Sequence, residues 1–382
     1  MSLTEVERAM YASESQDNFR WLSKLVGTYA DCKLTKEVEA KEKNRIDEIG
    51  MYSELVYSHV QVDYLFQHHQ LLEKESILSE YLPVLSDCIF IRKIDGPKTD
   101  LSAFVVYRKS QHQLVVSISG SSSPKHMIEN LRAVRTPWPG ASSESPDTSS
   151  TTKASAPTVH SGFLRLYQDI KPELQEAIRG GLEIHQPKEL IITGHSMGGS
   201  VSHLLCIDLL SKTLRVTLPK KICLATYGAP RTGNLGLVQH FQDLVTAFRS
   251  QEGNVFDEYS LKAYNDGVPA VPPNALGYVH FSDKPLYAFQ RGLYIVPEGF
   301  KEFSLFLVET PGSALDEAPS DPNAQANRFP KGGHNYYNGR DLEALRRTTD
   351  RLASAGFPGN PKWKENFWKG EKERKVIDEG AV

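Results

Sequence analysis

The segment from Gly194 to Gly198 (GHSMG) has the residue types of a nucleophilic serine site. A β-branched run ends at Thr193, and an apolar helix is predicted from Gly198 onward. A sharp turn between a strand and a helix exposes a serine hydroxyl, and glycines on both sides leave room for close backbone approach. The pattern therefore predicts Ser196 as a nucleophile.

A serine hydroxyl needs a base, and in folds with this turn the chain order is serine, acid, histidine. Asp266 follows the predicted strand Tyr259–Asn265, which places its carboxylate at the carboxyl edge of a parallel sheet. Asp257 lies before that strand, at the opposite end, and Asp283 is the alternative acid. Asp266 is predicted as the acid, although Asn-Asp-Gly is also an ordinary turn sequence.

The last histidine of the chain, His334, is the predicted base. It follows two glycines and precedes a predicted helix, whereas the alternative, His280, lies in a strand-like stretch. His195 and His203, close to the serine, are interpreted as packing residues. We expect His334 to activate Ser196 while the acid fixes the tautomer of the imidazole.

The oxyanion of an acyl-transfer intermediate needs two positioned donors. One is expected to be the backbone N–H of Met197, directly after the serine. The second is expected from Ser121, because the predicted strand Gln113–Ser119 runs into a glycine–serine loop there. A plain flexible turn is the alternative interpretation of that loop.

A short amphipathic stripe follows the loop, with apolar residues at positions i, i+3, i+4 and i+7: Pro124, Met127, Ile128 and Leu131. A helix with such a stripe beside an acyl-transfer site can act as a lid that opens at a lipid surface. Packing of the stripe onto the core is the alternative.

Strands alternate with helices through the rest of the chain, which predicts an α/β fold with a mostly parallel central sheet and helices on both faces. A hairpin is predicted just before the glycine–serine loop at 120–123. The expected later strands are 189–193, 221–227 and 259–265, and the expected helices are 163–179, 198–212 and 235–248. An amphipathic helix is predicted over 49–72.

Three regions are predicted: an N-terminal helical extension (1–48), an α/β domain (49–350) with a low-complexity loop (139–157), and a C-terminal tail (351–382). The loop is rich in serine, threonine and proline and is too polar to contribute to a core.

Composition narrows the functional classes. The formal net charge is −3 and no basic stretch is interleaved with aromatics, which argues against nucleic-acid binding. No apolar run is long enough for a transmembrane segment, no secretory signal is recognised, and the four cysteines lack metal-type spacing. These features favour a cytoplasmic protein with free thiols, or a secreted one if the chain was processed, and predict no cofactor and no metal.

Five segments together resemble the class 3 lipase family, the fungal triacylglycerol lipase group of the α/β-hydrolases: 120–123 with the helix after it, 159–163, 194–199, 226–234 (TYGAPRTGN), and 265–266 with 271–273. The TYGAPRTGN stretch is the most specific of them. The resemblance implies an α/β-hydrolase fold with a short lid helix, Ser196, Asp266 and His334 as a triad, and Ser121 and Met197 as oxyanion donors.

Two positions depart from the family pattern. Ser119 stands where many members have arginine before the oxyanion-loop glycine, and Asn130 stands where aspartate is common in the lid helix. A supporting contact of the oxyanion loop is therefore expected to differ.

These observations predict an ester hydrolase with a lipid or other ester substrate, and with transient contact to a lipid interface. A soluble short-chain or feruloyl-type esterase, acyl transfer to an alcohol other than water, and a catalytically silent lipase-like regulatory protein are the alternatives.

Overall fold

The computed structural model describes residues 36–120, 134–139, 155–211, 216–263, 266–282, 285–289, 292–296 and 334–380. Several predicted residues lie outside these ranges: the oxyanion residue Ser121, the lid residues Pro124, Met127, Ile128 and Leu131, and the alternative acid Asp283. Asn130 and most of the low-complexity loop 139–157 also lie outside them.

The described residues form a central sheet of eight strands in the order β1-β2-β3-β6-β7-β8-β9-β10. The pairs from β3 to β9 are parallel, and the pairs at both edges are antiparallel. The strands are β1 (Cys88–Asp95), β2 (Ser102–Arg108), β3 (Gln113–Ile118), β6 (Glu189–His195), β7 (Lys221–Tyr227), β8 (Val255–Ala263), β9 (Leu286–Phe289) and β10 (Gly292–Ile295).

Smaller elements complete the described fold. The helices are α1 (Ala40–Leu55), α2 (Val62–Gln67), α3 (His69–Lys74), α4 (Leu82–Asp87), α5 (Ser161–His185), α6 (Met197–Leu210), α7 (Leu235–Arg249), α8 (Leu342–Ala355) and α9 (Trp363–Gly380). Two-stranded pairs join β4 (Arg135–Pro137) to β5 (Thr158–His160), and β11 (Tyr336–Tyr337) to β12 (Arg340–Asp341).

Helices cover both faces of the sheet, because its central strands are apolar on both sides. Successive residues of β2 alternate between two cores: Val105 packs with helices α5, α6 and α7, and Phe104 packs with α1, α8 and α9. The predicted mostly parallel sheet between two helical layers is thereby confirmed. None of the described helices is long and apolar enough to span a bilayer.

Helix α1 departs from the prediction of a single helix over 49–72. It begins at Ala40 and ends at Leu55, and the short helices α2 and α3 follow. The charged first half of α1 is held against the sheet because Arg45 bonds to Asp257 at 3.0 Å and to Glu189. Polar contacts at the base of the sheet thus extend the helix beyond its apolar stripe.

The predicted region boundaries 48/49 and 350/351 fall inside helices α1 and α8. Helix α1 packs on strands β3, β6 and β7, and α9 packs on α8. The three-region division stays a prediction.

Candidate active site

Ser196 occupies the turn between strand β6 and helix α6. Its backbone has φ 60° and ψ −133°, a conformation that L-residues rarely adopt and that projects the side chain from the turn. The turn is held by a hydrogen bond of 2.8 Å from the Ser196 N–H to the Tyr227 carbonyl. The strand–turn–helix context predicted from the sequence is therefore present.

Two glycines of the motif are required by close backbone contact. A Cβ on Gly194 would lie 2.4 Å from the carbonyl carbon of Gly198, and one on Gly198 would lie 2.1 Å from the Ile118 oxygen. A side chain at Gly194 would push strand β6 away from the start of helix α6, and one at Gly198 would push the serine turn away from strand β3.

Asp266 and His334 come together from segments 68 residues apart. His334 Nδ1 lies 3.0 Å from Asp266 Oδ2, and both side chains are buried. Asp266 follows strand β8 as predicted, and its other oxygen accepts a hydrogen bond of 2.9 Å from the Val268 N–H. Because Nδ1 faces the carboxylate, Nε2 is the atom left to exchange a proton with a substrate or nucleophile.

Tyr337 is a site residue that sequence reasoning missed. Its hydroxyl donates to Asp266 Oδ2 at 2.6 Å, and burial, followed by the nearby Asp266 charge, raises the pKa of Tyr337 well above its usual value. The hydroxyl therefore stays protonated and donates a third hydrogen bond to the carboxylate. Gly228, at φ 61°, leaves space for this group, since a Cβ there would lie 2.8 Å from Asp266 Oδ2.

The loop of His334 continues into a hairpin formed by β11 and β12. Asn338 and Gly339, both at positive φ, make its two-residue turn. This Asn-Gly pair was the available sequence signal for the hairpin that holds Tyr337 and Arg340.

Arg340 anchors that hairpin to helix α1. Its guanidinium bonds to both oxygens of Glu54, at 2.6 and 2.9 Å, and Tyr81 donates to the same carboxylate at 2.7 Å. Glu54, His195, Tyr337 and Arg340 line one small cavity, so this ion pair lies directly behind the candidate site.

His195 contacts both the candidate base and the loop after strand β3, which is more than the packing role expected of it. Its Nε2 lies 2.7 Å from the His334 carbonyl oxygen, and its Nδ1 lies 3.0 Å from the Tyr57 hydroxyl. Tyr57, just after helix α1, also accepts a hydrogen bond of 2.7 Å from the Gly120 N–H. Tyr57 was missed because no local pattern connects it to residues so distant in the chain.

The described part of the predicted oxyanion site consists of Met197 and the loop up to Gly120. Met197 begins helix α6, so its N–H is among the donors that a helix leaves without intrahelical partners. A Cβ on Gly120 would lie 2.8 Å from the Ser196 Cβ, which places this loop beside the serine. At the position where arginine is common, Ser119 Oγ accepts a hydrogen bond of 2.9 Å from the Ser102 N–H.

His203 packs two helical turns beyond the serine, as expected, and the alternative base His280 bonds to the Pro269 oxygen at 2.6 Å. His203 Nδ1 contacts the Gly199 oxygen at 2.9 Å, and its ring stacks on Phe281. Burial, with a smaller contribution from His280, lowers the pKa of His203 to about 4.

Folding stability should therefore decrease as the pH falls from 6.5 towards 4. In that window His203 binds a proton in the unfolded chain but not in the folded one, at a cost of up to about 1.4 kcal/mol per pH unit. Urea unfolding at several pH values should give a smaller pH dependence for His203→Gln than for the unmodified protein. Equal slopes for the two proteins would contradict this assignment.

Known proteins share parts of this sequence and its fold. Residues 115–276 match the family model for lipase (class 3). The chain is 25% identical over 194 residues to secreted mono- and diacylglycerol lipase 1 of Fusarium solani, covering 51% of this chain and 50% of that protein. It is 30% identical over 122 residues to a Rhizopus niveus lipase, covering 32% and 28%. The aligned parts thus span half or less of these curated relatives.

A solved Rhizomucor miehei triacylglyceride lipase shares the fold, with a TM-score of 0.54, 18% identity, and coverage of 81% of this chain and 99% of that one. The parallel sheet, its two helical layers and the serine turn are those of the α/β-hydrolase fold. Over residues 115–276 the chain is similar to the class 3 lipase family, and the fungal relatives carry the same similarity.

Proposed function

We propose that this protein is a serine ester hydrolase that cleaves acylglycerols or related lipid esters. The observation that carries the proposal is the His334–Asp266 hydrogen bond of 3.0 Å, formed beside the strained turn of Ser196. A base that is oriented by a buried carboxylate, next to a projecting serine, is the arrangement that acyl transfer requires.

In the proposed reaction Ser196 Oγ attacks the ester carbonyl and gives its proton to His334 Nε2. The resulting oxyanion accepts hydrogen bonds from the Met197 N–H and from Ser121. The alcohol leaves with the proton held on His334, and an acyl-enzyme remains. Water, deprotonated by His334, then releases the acid and restores Ser196.

Asp266 orients His334 and stabilises its charged form. Its carboxylate accepts hydrogen bonds from the Val268 N–H and the Tyr337 hydroxyl as well as from His334. These fixed donors keep the carboxylate in one orientation, so the imidazole is held in one tautomer.

The relatives support a lipid substrate. One is named as a secreted mono- and diacylglycerol lipase and another as a triacylglyceride lipase. We extend this substrate class to the present chain, with the segment containing Pro124, Met127, Ile128 and Leu131 as the lid that contacts a lipid surface. The similarity to a secreted enzyme favours the secreted alternative over the cytoplasmic one.

The experiment that tests this function is hydrolysis of p-nitrophenyl esters from acetyl to palmitoyl, above and below the solubility limit of each ester. We expect a preference for long chains and a rise in rate when the ester forms a separate phase. A short-chain preference without that rise would indicate a soluble esterase. Absence of turnover on every ester would overturn the proposal and favour a silent lipase-like protein.

Adding a primary alcohol to the same assay distinguishes hydrolysis from acyl transfer. Formation of free acid as the main product supports a hydrolase, and formation of the new ester as the main product supports a transferase.

A further inference from the structure

The residue that follows helix α1 by two positions connects two parts of the candidate site. The Tyr57 hydroxyl lies 2.7 Å from the Gly120 nitrogen and 3.0 Å from His195 Nδ1. His195 Nε2 in turn lies 2.7 Å from the carbonyl oxygen of His334. The loop before Ser121 and the loop of the candidate base are thus joined through two side chains.

The direction of each hydrogen bond in this series, from Gly120 through Tyr57 and His195 to His334, follows from the chemistry of the two groups that it joins. A carbonyl oxygen only accepts, so His195 Nε2 carries a proton and donates to His334. Burial, followed by the proximity of His334, lowers the pKa of His195 well below its usual value, so the ring is neutral and its Nδ1 is an acceptor. Tyr57 therefore donates to Nδ1 and accepts from the Gly120 N–H. The His195 carbonyl oxygen, 3.2 Å from the Tyr57 hydroxyl, is a second and more distant acceptor for the same proton, so both contacts connect Tyr57 to His195.

The loop at Gly120 packs closely against both the serine and the Tyr57 hydroxyl. A Cβ at Gly120 would lie 2.8 Å from the Ser196 Cβ and 2.5 Å from the Tyr57 hydroxyl. The Tyr57 hydroxyl therefore fixes the backbone at the point from which the chain runs directly into Ser121.

We propose that Tyr57 is a positioning residue that acts through Gly120 and His195 to align the oxyanion donors with His334. This inference rests on the proposed ester hydrolase function. Its physical reason is that oxyanion donors stabilise the transition state only when they point to where the negative charge develops. A hydroxyl that fixes both loops sets that geometry without touching the substrate.

Tyr57→Phe removes the hydroxyl and keeps the ring. We expect kcat to fall about 10- to 100-fold, less than the 10²–10³ seen when an oxyanion donor is lost completely, with KM changed by less than about twofold. Tyr52→Phe is the matched control on helix α1, because its buried hydroxyl contacts Cys88 Sγ at 3.4 Å and lies away from the serine. This control should retain kcat.

A second readout separates positioning from a loss of folded protein. A boronic acid forms a tetrahedral adduct with the serine and resembles the transition state, so its Kd should rise in Tyr57→Phe by the same factor as kcat/KM falls. Partial unfolding would lower kcat and the number of binding sites but leave this Kd unchanged. Unchanged affinity, or a kcat within twofold of the unmodified protein, would overturn the proposal.

Direct titration with the boronic acid keeps the two proposals distinguishable, since it needs no turnover. If the unmodified protein binds the boronic acid but hydrolyses no ester, the proposed function fails while the ratio of the two affinities still decides the role of Tyr57. If the unmodified protein neither binds nor hydrolyses, both proposals are overturned.

Two substitutions of His195 test whether Tyr57 acts on the His334 loop through His195. His195→Gln keeps a donor for the His334 carbonyl, and His195→Asn keeps an acceptor for Tyr57. The first breaks the contact with Tyr57, and the second breaks the contact with His334. If both residues act through one connection, each double variant with Tyr57→Phe should have a kcat no lower than that of the slower single variant. If the losses in kcat of the two single variants multiplied in the double variant, Tyr57 and His195 would act separately, and the proposed connection through His195 would be contradicted.

Discussion

Ester turnover should fall by about 10⁶-fold when Ser196 is replaced by alanine, the size of effect known when a triad nucleophile is removed. The reason is that the turn at φ 60° projects this side chain from between strand β6 and helix α6. Without the hydroxyl no acyl-enzyme forms, and the remaining activity comes from substrate binding and the oxyanion donors. The measurement is kcat on the best ester of the chain-length series.

The matched control is Ser202→Ala on the same helix, whose buried hydroxyl bonds to the Gly198 oxygen at 2.7 Å. It should keep most activity. Asp266→Asn alone should lower kcat by about 10⁴-fold, and adding it to Ser196→Ala should cause little further loss, because the triad acts as a unit. If Ser196→Ala kept more than about a hundredth of the activity, the nucleophile would be a different residue.

The second large effect is on stability. Replacing Arg340 with methionine should lower the free energy of unfolding by about 3–5 kcal/mol, because it leaves the buried Glu54 carboxylate without its cation. The pair is bidentate, and both side chains are less than 9% exposed. The Arg340 guanidinium also donates to the Asp47 carbonyl at 2.7 Å, so the substitution removes a further hydrogen bond to helix α1. Urea unfolding at neutral pH measures the loss.

Two further sets of variants identify the cause of the expected loss of stability. Arg92→Met breaks an exposed ion pair with Glu176, at 3.0 Å, and should cost less than about 1 kcal/mol. Combining Arg340→Met with Glu54→Gln should recover part of the loss, because no unpaired charge then stays buried. If Arg340→Met cost no more than Arg92→Met, the Glu54 pair would not anchor the hairpin.

Local patterns were sufficient to predict the elements that carry Ser196 and Asp266. Strand β7 has the predicted bounds, and β6 and β8 overlap their predicted ranges. The reason is that a β-branched run between two turns locates a strand to within a few residues. A residue placed directly after a parallel strand is located by that strand alone, which is why Asp266 lies where the sequence placed it.

The supporting residues could not be predicted in the same way. Glu54 and Arg340 are 286 residues apart, and Tyr57 and Gly120 are 63 apart, so no periodicity relates either pair. Helix α1 was misplaced for a similar reason, since its charged first turns are stabilised by Arg45 contacts with distant strands. In each case a contact between residues distant in the sequence determined the observed structure, and local sequence patterns do not report such contacts.

The Glu54–Arg340 pair also bears on the order in which the parts of the site assemble. Closing a loop of 286 residues carries a large entropic cost, and chains of this size fold through intermediates. During synthesis helix α1 leaves the ribosome long before its partner hairpin. The serine turn, formed from neighbouring strands and one helix, can therefore assemble early, whereas the His334 loop is fixed only after the carboxyl-terminal hairpin docks. We therefore expect a nascent chain to hold the Ser196 turn before the His334 loop is fixed beside it, so that any activity would appear only late in folding.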